Sequence, residues 1–230
     1  MTKPMDEIKD RVAAVVVTYN RAEMLRQCLV SLQKQTMPCD ILVVDNASTD
    51  DTQALVQRAA QHDASIFYRN TGENLGGAGG FNFGMRWAVE AGYAFVWVMD
   101  DDCFPEPVAL EKLLDADRLL QGEYGWLSSV ALWTDGRECR MNRPKIKKNF
   151  YDRIELLRDG ILLAEQATFV SLFLKAETIR AVGLPVKEFF IWGDDIEYTR
   201  RITIRGKMPC YVVGQSRVIH AMKNNSGSNL

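Results

Sequence analysis

The chain has 230 residues, 47% of them apolar and 25% charged, with a formal net charge of −2 at pH 7. That length suits one α/β domain with a sizeable core, and the near-neutral balance gives no electrostatic case for nucleic acid or an anionic membrane as a partner. The five cysteines are scattered, odd in number and form no CxxC, which argues for a reducing compartment and against a zinc knuckle. The polar start, MTKPMDEIKDR, lacks the apolar core of a signal peptide. The longest apolar runs, VAAVVV and YAFVWVM, fall far short of the ~20 residues of a membrane span. A soluble, cytoplasmic protein is expected.

The first half alternates regularly. Val12 to Val17 is a continuous, valine-rich apolar run and reads as a strand buried on both faces. From Ala22 to Lys34, the residues Met24, Leu25, Cys28, Leu29 and Leu32 form one helical stripe. Ile41 to Val44 is a second strand. Thr49 to His62 reads as a helix, capped by Ser48 or Thr49 with Asp50 and Asp51 in its first turn. Ser65 to Tyr68 is a short strand, Gly80 to Ala91 a helix after a glycine-rich turn, and Tyr93 to Met99 a strand. This repetition predicts a parallel, Rossmann-like central sheet with helices on both faces. Ligands of such sheets bind beyond the carboxyl ends of the strands.

The second half is less regular. Gly125 to Trp133 reads as a strand. Arg140 to Arg153, with six basic residues, one acidic residue and Pro144, reads as a mobile loop. Gln166 to Lys175 reads as a strand, Ala176 to Val182 as a short helix, and Asp194 to Gly206 as a helix ended by its glycine. Cys210 to Val213 and Arg217 to Ile219 read as two short strands. The alternation does not restart, so residues 1–230 are expected to form one domain.

Polar residues collect at the strand ends: Thr18-Tyr19-Asn20-Arg21, Asp45-Asn46-Ala47-Ser48, and the triplet Asp100-Asp101-Asp102. Any single tip is equally well a turn or a helix cap. Three carboxylates at the edge of a core repel one another and resist desolvation. A hard divalent cation, Mg²⁺ or Mn²⁺, would cancel that repulsion, and two carboxylates with one residue between them project to the same side of an extended chain. The segment NTGENLGGAGGFNFG, residues 70–84, holds six glycines. It can present amides to a phosphate or simply pack tightly against a helix; it is neither the dinucleotide fingerprint nor a P-loop. In FFIWGDDIEYTRR, residues 189–201, Asp194 and Asp195 open a helix behind aromatic residues, an arrangement that suits a general base as well as a helix cap. His220 alone reads as structural.

Together VVVTYNR, ILVVDNASTDDT, NLGGAGGFNFGM and VMDDD, in this order and spacing, resemble the family 2 glycosyltransferases, which have the GT-A fold; the match runs from about Val12 to His220. The resemblance implies a nucleotide-sugar-binding half, about 12–104, and an acceptor-binding half, about 105–222. It implies that Thr18, Asn20, Arg21, Asp45 and Asn46 contact the nucleoside. Asn74, Gly76, Gly77, Gly80, Asp100 and Asp101 would line the rest of the donor site. Asp100, Asp102 and His220 would hold Mn²⁺ or Mg²⁺. Asp195 would be the base of an inverting transfer, with Asp194 beside it and Trp192 and Gly193 shaping the acceptor site. NLGGAGGF, the triplet and the Trp-containing acidic segment look most like the bacterial galactofuranosyltransferases, although the inserted Gly193 departs from a tighter WDD. UDP-galactofuranose is therefore the expected donor and dTDP-rhamnose its rival. The acceptor would be a glycan or lipid-linked glycan of the bacterial surface, met at the inner face of the cytoplasmic membrane, and the basic loop suits an anionic one. Such enzymes often carry more chain after the histidine, so either a compact enzyme or a shortened one is expected. A nucleotidyltransferase would place a glycine-rich basic signature where TYNR stands. A non-catalytic nucleotide-sugar module would need neither Asp195 nor His220.

Overall fold

The computed structural model describes residues 11–227, so the polar opening segment, up to residue 10, lies outside the described residues. Val12–Thr18 (β1), Asp40–Asp45 (β2), Ile66–Asn70 (β3) and Phe95–Asp100 (β4) pair in parallel in the order β3-β2-β1-β4. They are joined through Ala22–Gln33 (α1), Thr52–His62 (α2) and Gly76–Glu90 (α3). Every residue of β1 and β2 is buried. The physical reason is that both faces are covered. Ala14 and Val16 pack with Leu25, Leu29 and Val56 on one side, and Ala13, Val15 and Val17 pack with Phe81, Met85 and Ala88 on the other. A strand in that position has no solvent face and needs no polar alternation.

The rest of the chain supplies Cys103–Pro105 (β5), Ala109–Leu119 (α4), Leu127–Leu132 (β6), Lys145–Ile146 (β7), Ile161–Gln166 (β8), Leu172–Lys175 (β9), Ala176–Val182 (α5), Asp194–Arg200 (α6) and Tyr211–His220 (β10). These strands extend the same sheet in the order β4-β9-β6-β10-β8-β7. Here β6 and β10 run parallel, while β9, β8, β7 and β5 join antiparallel.

Several elements differ from the sequence reading. Gln166 to Lys175 is not one strand: β8 ends at Gln166, and β9 begins at Leu172 after Ser171 takes a positive φ of 62°. Conversely, the two short strands expected near the C-terminus are one, β10, with a bulge between Val213 and Arg217. The bulge buries Ser216, whose hydroxyl bonds Ser129 and the Ala109 carbonyl. The basic loop is structured. It holds a 3₁₀ turn at Arg140–Asn142, the strand β7 and the start of a 3₁₀ segment at Phe150–Asp159. Helix α4 went unassigned from sequence, although Leu110, Leu113 and Ala116 give it a buried stripe. Helix α2 starts at Thr52, where Asp50 accepts the Thr52 N–H at 3.0 Å, so neither Ser48 nor Thr49 caps it. The helix expected to end at Gly206 passes at Arg201–Arg205 into one turn of π-helix.

Helix α3 begins at Gly76, and its Gly80 and Gly84 face the sheet. A Cβ on Gly80 would lie 2.5 Å from Val17 Cγ1, and one on Gly84 would lie 2.3 Å from Val15 Cγ1. Both valines belong to a fully buried central strand and cannot swing aside. Gly84→Ala is therefore expected to lower unfolding free energy by about 1–3 kcal/mol. Gly77→Ala, whose Cβ meets nothing within 4 Å, is expected to be neutral or slightly stabilising in the same urea titration. Equal midpoints for the two variants would refute the packing role.

Candidate active site at the strand ends

The carboxyl ends of β1 and β4 are neighbours, because these strands pair directly. That register brings Thr18 and Arg21 to the aspartate triplet. Thr18 Oγ1 donates to Asp101 Oδ2 at 2.7 Å, and Arg21 Nη1 donates to Asp101 Oδ1 at 3.0 Å and Asp102 Oδ2 at 2.8 Å. Thr18 and Arg21 thus serve the aspartates, where the resemblance implied contacts to a nucleoside. Asp101 is 2% exposed with both oxygens committed, so it braces the two strand ends. Its carboxyl is nonetheless pushed up to about 6, chiefly by burial. Part of the cost of clustering three carboxylates is thus met by Arg21 rather than by a metal.

Asp100 and Asp102 face the other way. Asp102 Oδ1 lies 3.1 Å from His220 Nε2 at the end of β10. Ligand atoms of Asp100, Asp102 and His220 all fall within 4.8 Å of one another. The Asp100 side chain accepts no hydrogen bond among the described residues, and burial together with the charge of Asp102 pushes its carboxyl up to about 7. Burial lowers His220, but its bonds to Asp102 and Cys139 and the charges of Asp102 and Asp100 together raise it to about 10. A carboxylate with no hydrogen bond among the described residues, a second carboxylate shared between Arg21 and His220, and an imidazole form a donor set that Mn²⁺ or Mg²⁺ fits once the proton between Asp102 and His220 is released.

Asp194 and Asp195 open α6, and Asp194 is close enough for its charge to act on Asp100. Burial lifts both carboxyls, and the charge of Asp195 helps bring Asp194 to about 6. Thr199, one helical turn on, donates to the Asp195 main-chain carbonyl at 2.7 Å and to the Ala167 carbonyl at 3.2 Å, which anchors the helix to the sheet. The inserted Gly193 has a geometric purpose. Its φ of +93° turns the chain into α6, after positive φ values at Phe190 and Trp192.

The glycine loop and the aromatic segment form one unit, which the sequence did not reveal. The Phe190 carbonyl accepts the Ala78 N–H at 3.1 Å, and a Cβ on Gly76 would stand 2.2 Å from the Phe190 oxygen. The Gly76 N–H is taken by Asn74 Oδ1 at 2.9 Å. Gly76 and Gly80 are therefore places where a side chain has no room, beside Phe190 and Val17 respectively. Gly77 remains in the open. Trp192 is 73% exposed.

Asp45 is fully buried and accepts from the Ser48 N–H and the Tyr68 hydroxyl. Asn46 donates to the Gly76 carbonyl, and its Oδ1 is buried with no hydrogen-bond partner among the described residues. Asn20, at φ 53°, accepts the Thr49 N–H and so staples the first two strand-end loops together.

Comparison with known proteins agrees with this geometry. The model of glycosyl transferase family 2 matches residues 13–119. Galactofuranosyltransferase GlfT1 of Mycolicibacterium smegmatis is 32% identical over 208 residues, 86% of this chain and 67% of that protein. The undecaprenyl-phosphate mannosyltransferase of Micrococcus luteus is 31% identical over 205 residues, 86% of this chain and 79% of that protein. The chain belongs to glycosyl transferase family 2. It spans 66% of the length of the Mycobacterium tuberculosis GlfT1, to which it is 32% identical over 219 residues, 87% of this chain. Among solved structures, GalNAc-T7 with UDP, GalNAc and Mn²⁺ superposes with a TM-score of 0.77 at 14% identity, over 98% of this chain and 45% of that one. S. aureus TarS 1-349 gives 0.67 at 17% identity, over 92% and 60%. The architecture of this family 2 member is accordingly GT-A. Among its described residues no helix is long and apolar enough to cross a membrane.

Sequence reasoning missed two contributors to the site of this family 2 protein. Tyr68 holds Asp45, and Asn142 touches His220. Tyr68 was findable, because it sits on the strand paired with β2. Nothing local marked Asn142.

Proposed function

We propose that the chain is an inverting glycosyltransferase that moves galactofuranose from a UDP donor to a hydroxyl of a glycan or lipid-linked glycan. The observation that carries the reading is the convergence of Asp100, Asp102 and His220 with the Asp194–Asp195 pair at one sheet edge. The chain divides into a donor half, about 12–104, and an acceptor half, about 105–222. In this reading Asp195 takes the acceptor proton as that oxygen attacks the anomeric carbon on the face opposite the diphosphate, and Asp194 keeps the pair's proton affinity high. Asp100, Asp102 and His220 hold Mn²⁺ or Mg²⁺, which when bound offsets the charge that builds on the leaving diphosphate. Asn20, Asp45, Asn46, Asn74 and Gly77 edge the nucleotide side.

A cavity of about 830 Å³ supports the acceptor assignment. Arg140, Arg143, Lys145, Gln166, Thr168 and Ile196 line it, the last being the neighbour of Asp195. Arg143 pairs with Glu138 and Lys145 with Glu165, while Arg140 makes no salt bridge among the described residues. Such a lining suits an acceptor carrying phosphate, in keeping with relatives named for undecaprenyl-phosphate and polyprenol monophosphomannose. Trp192 and Gly193 shape the acceptor side. Exposed Phe189, Phe190, Ile191 and Trp192 suit peripheral contact with the inner face of the cytoplasmic membrane.

A thermal-shift screen of UDP-sugars and dTDP-sugars, each with and without Mn²⁺, tests the reading. Selective binding stabilises by about 2.7 kcal/mol at a hundredfold excess over Kd. UDP and UDP-galactofuranose are expected to raise the melting temperature only with the metal present. A preference for dTDP would transfer the assignment to a rhamnosyl donor, and silence toward every nucleotide would refute it.

A further inference from the structure

The segment 139–143 does more than line a cavity. Cys139 is buried at the foot of the loop, and a single 3₁₀ turn, Arg140–Asn142, follows it. Arg140, Met141 and Arg143 face the cavity described above. Asn142 instead reaches the histidine 78 residues away: its Oδ1 stands 2.7 Å from His220 Nδ1. The same oxygen accepts the Cys139 thiol at 3.0 Å, and Asn142 Nδ2 donates to Thr168 Oγ1 at 2.9 Å. The amide is thus held at both ends, with its carbonyl toward the imidazole.

We propose that Asn142 is a positioning residue for His220, taking the Nδ1 proton so that Nε2 points at Asp102 and Asp100. The inference rests on the metal reading of the site only for what Nε2 then binds. The chemistry is that of a histidine ligand whose second nitrogen needs an acceptor to set ring angle and tautomer. A reversed amide would press its NH₂ against Nδ1 and drive the proton onto Nε2, which faces Asp102. A neutral carbonyl supplies the acceptor without adding a fourth negative charge beside Asp100, Asp101 and Asp102. The role costs little reorganisation, since Cys139 and Thr168 fix Asn142 whether or not His220 is engaged.

The chain has two histidines, His62 and His220, so nitrogen-15 imidazole NMR with His62→Gln for assignment reads the contact directly. The Nδ1–H of His220 is expected to be hydrogen-bonded in the metal-free protein, and the resonance shift that reports this bond is expected to be lost in Asn142→Leu. By calorimetry the same variant is expected to bind Mn²⁺ roughly 10–100-fold more weakly, as loss of a ligand's supporting partner does. Asn142→Asp, which keeps the acceptor, is expected to restore binding to within about threefold of the parent. A merely structural loop residue would not discriminate between Leu and Asp in this way. Should Asn142→Leu not fold, the parent spectrum still decides: an unprotonated Nδ1 on His220 overturns the proposal. So does a folded Asn142→Leu that keeps both the parental Nδ1 resonance and parental Mn²⁺ affinity. A parent that shows the proton yet takes up no Mn²⁺ refutes the metal reading while supporting the contact.

Discussion

Asp195→Asn is expected to cut turnover by ~10²–10⁴-fold, the usual contribution of a general base, while Kd for UDP and Mn²⁺ stays within about threefold of the parent. The split follows from where the residue sits. Asp195 opens α6 and, among the described residues, makes no hydrogen bond to Thr18, Arg21 or the triplet. Its substitution by an isosteric amide removes a proton acceptor and leaves the helix bonds through Thr199 in place. The pH profile adds a second reading. Burial raises Asp195, and burial with the Asp195 charge brings Asp194 to about 6. The base works only when ionised, so kcat should fall as pH drops through that raised range and level off above it. The variant should lose this limb. Single-turnover rates from pH 5 to 8 check both points. A fall in donor affinity that matched the fall in rate would move Asp195 from the base to the donor site. An unimpaired Asp195→Asn beside a dead Asp194→Asn would exchange the two roles.

Removal of the metal, or of Asp102, should abolish transfer. Several kcal/mol of transition-state charge stabilisation, the scale a bound divalent cation supplies, corresponds to at least ~10³-fold in rate. EDTA is expected to reach that loss reversibly, with Mn²⁺ restoring activity. Asp102→Ala is expected to reach it irreversibly, because Asp102 meets His220 through Oδ1 and Arg21 through Oδ2. That double engagement also predicts a structural cost. The alanine leaves a buried imidazole, held protonated by Asp102, without its partner. Asp102→Asn and a melting curve therefore separate loss of the ligand from loss of the fold. Full activity in EDTA would remove the metal from the mechanism. The triplet would then be explained by Arg21 and Thr18 alone, which already hold Asp101.

Much of this architecture was legible because its causes are local. Unbroken apolar runs at Val12 and Ile41, rich in valine and isoleucine, require strands covered on both faces, whatever lies over them. The polar residues that follow such runs mark the strand ends, and parallel connection places those ends on one edge. The DDD motif and Asp194–Asp195 could thus be singled out from the residues themselves, whereas His220 joined them only through the family resemblance. What the chain order could not convey was which side chain answers which. Arg21 was expected at a nucleoside, but β1 pairs with β4 and its charge is drawn to Asp101 and Asp102. The glycines after Asn74 read equally as a phosphate cradle or a packing surface. Only the docking of Phe190 over Gly76 and of Val17 under Gly80 decided for packing. The bulge in β10 and the turn that carries Asn142 have no local signature, since Ser216 bonds a carbonyl 107 residues away and Asn142 a histidine 78 residues away. The sequence by itself therefore determined the alternating elements, the buried strands and the acidic strand ends, because burial and periodicity act over a few residues. Tertiary structure alone decided the pairing of Arg21, Asn142 and the glycines, because a hydrogen bond or a steric gap depends on what the fold brings within 3 Å.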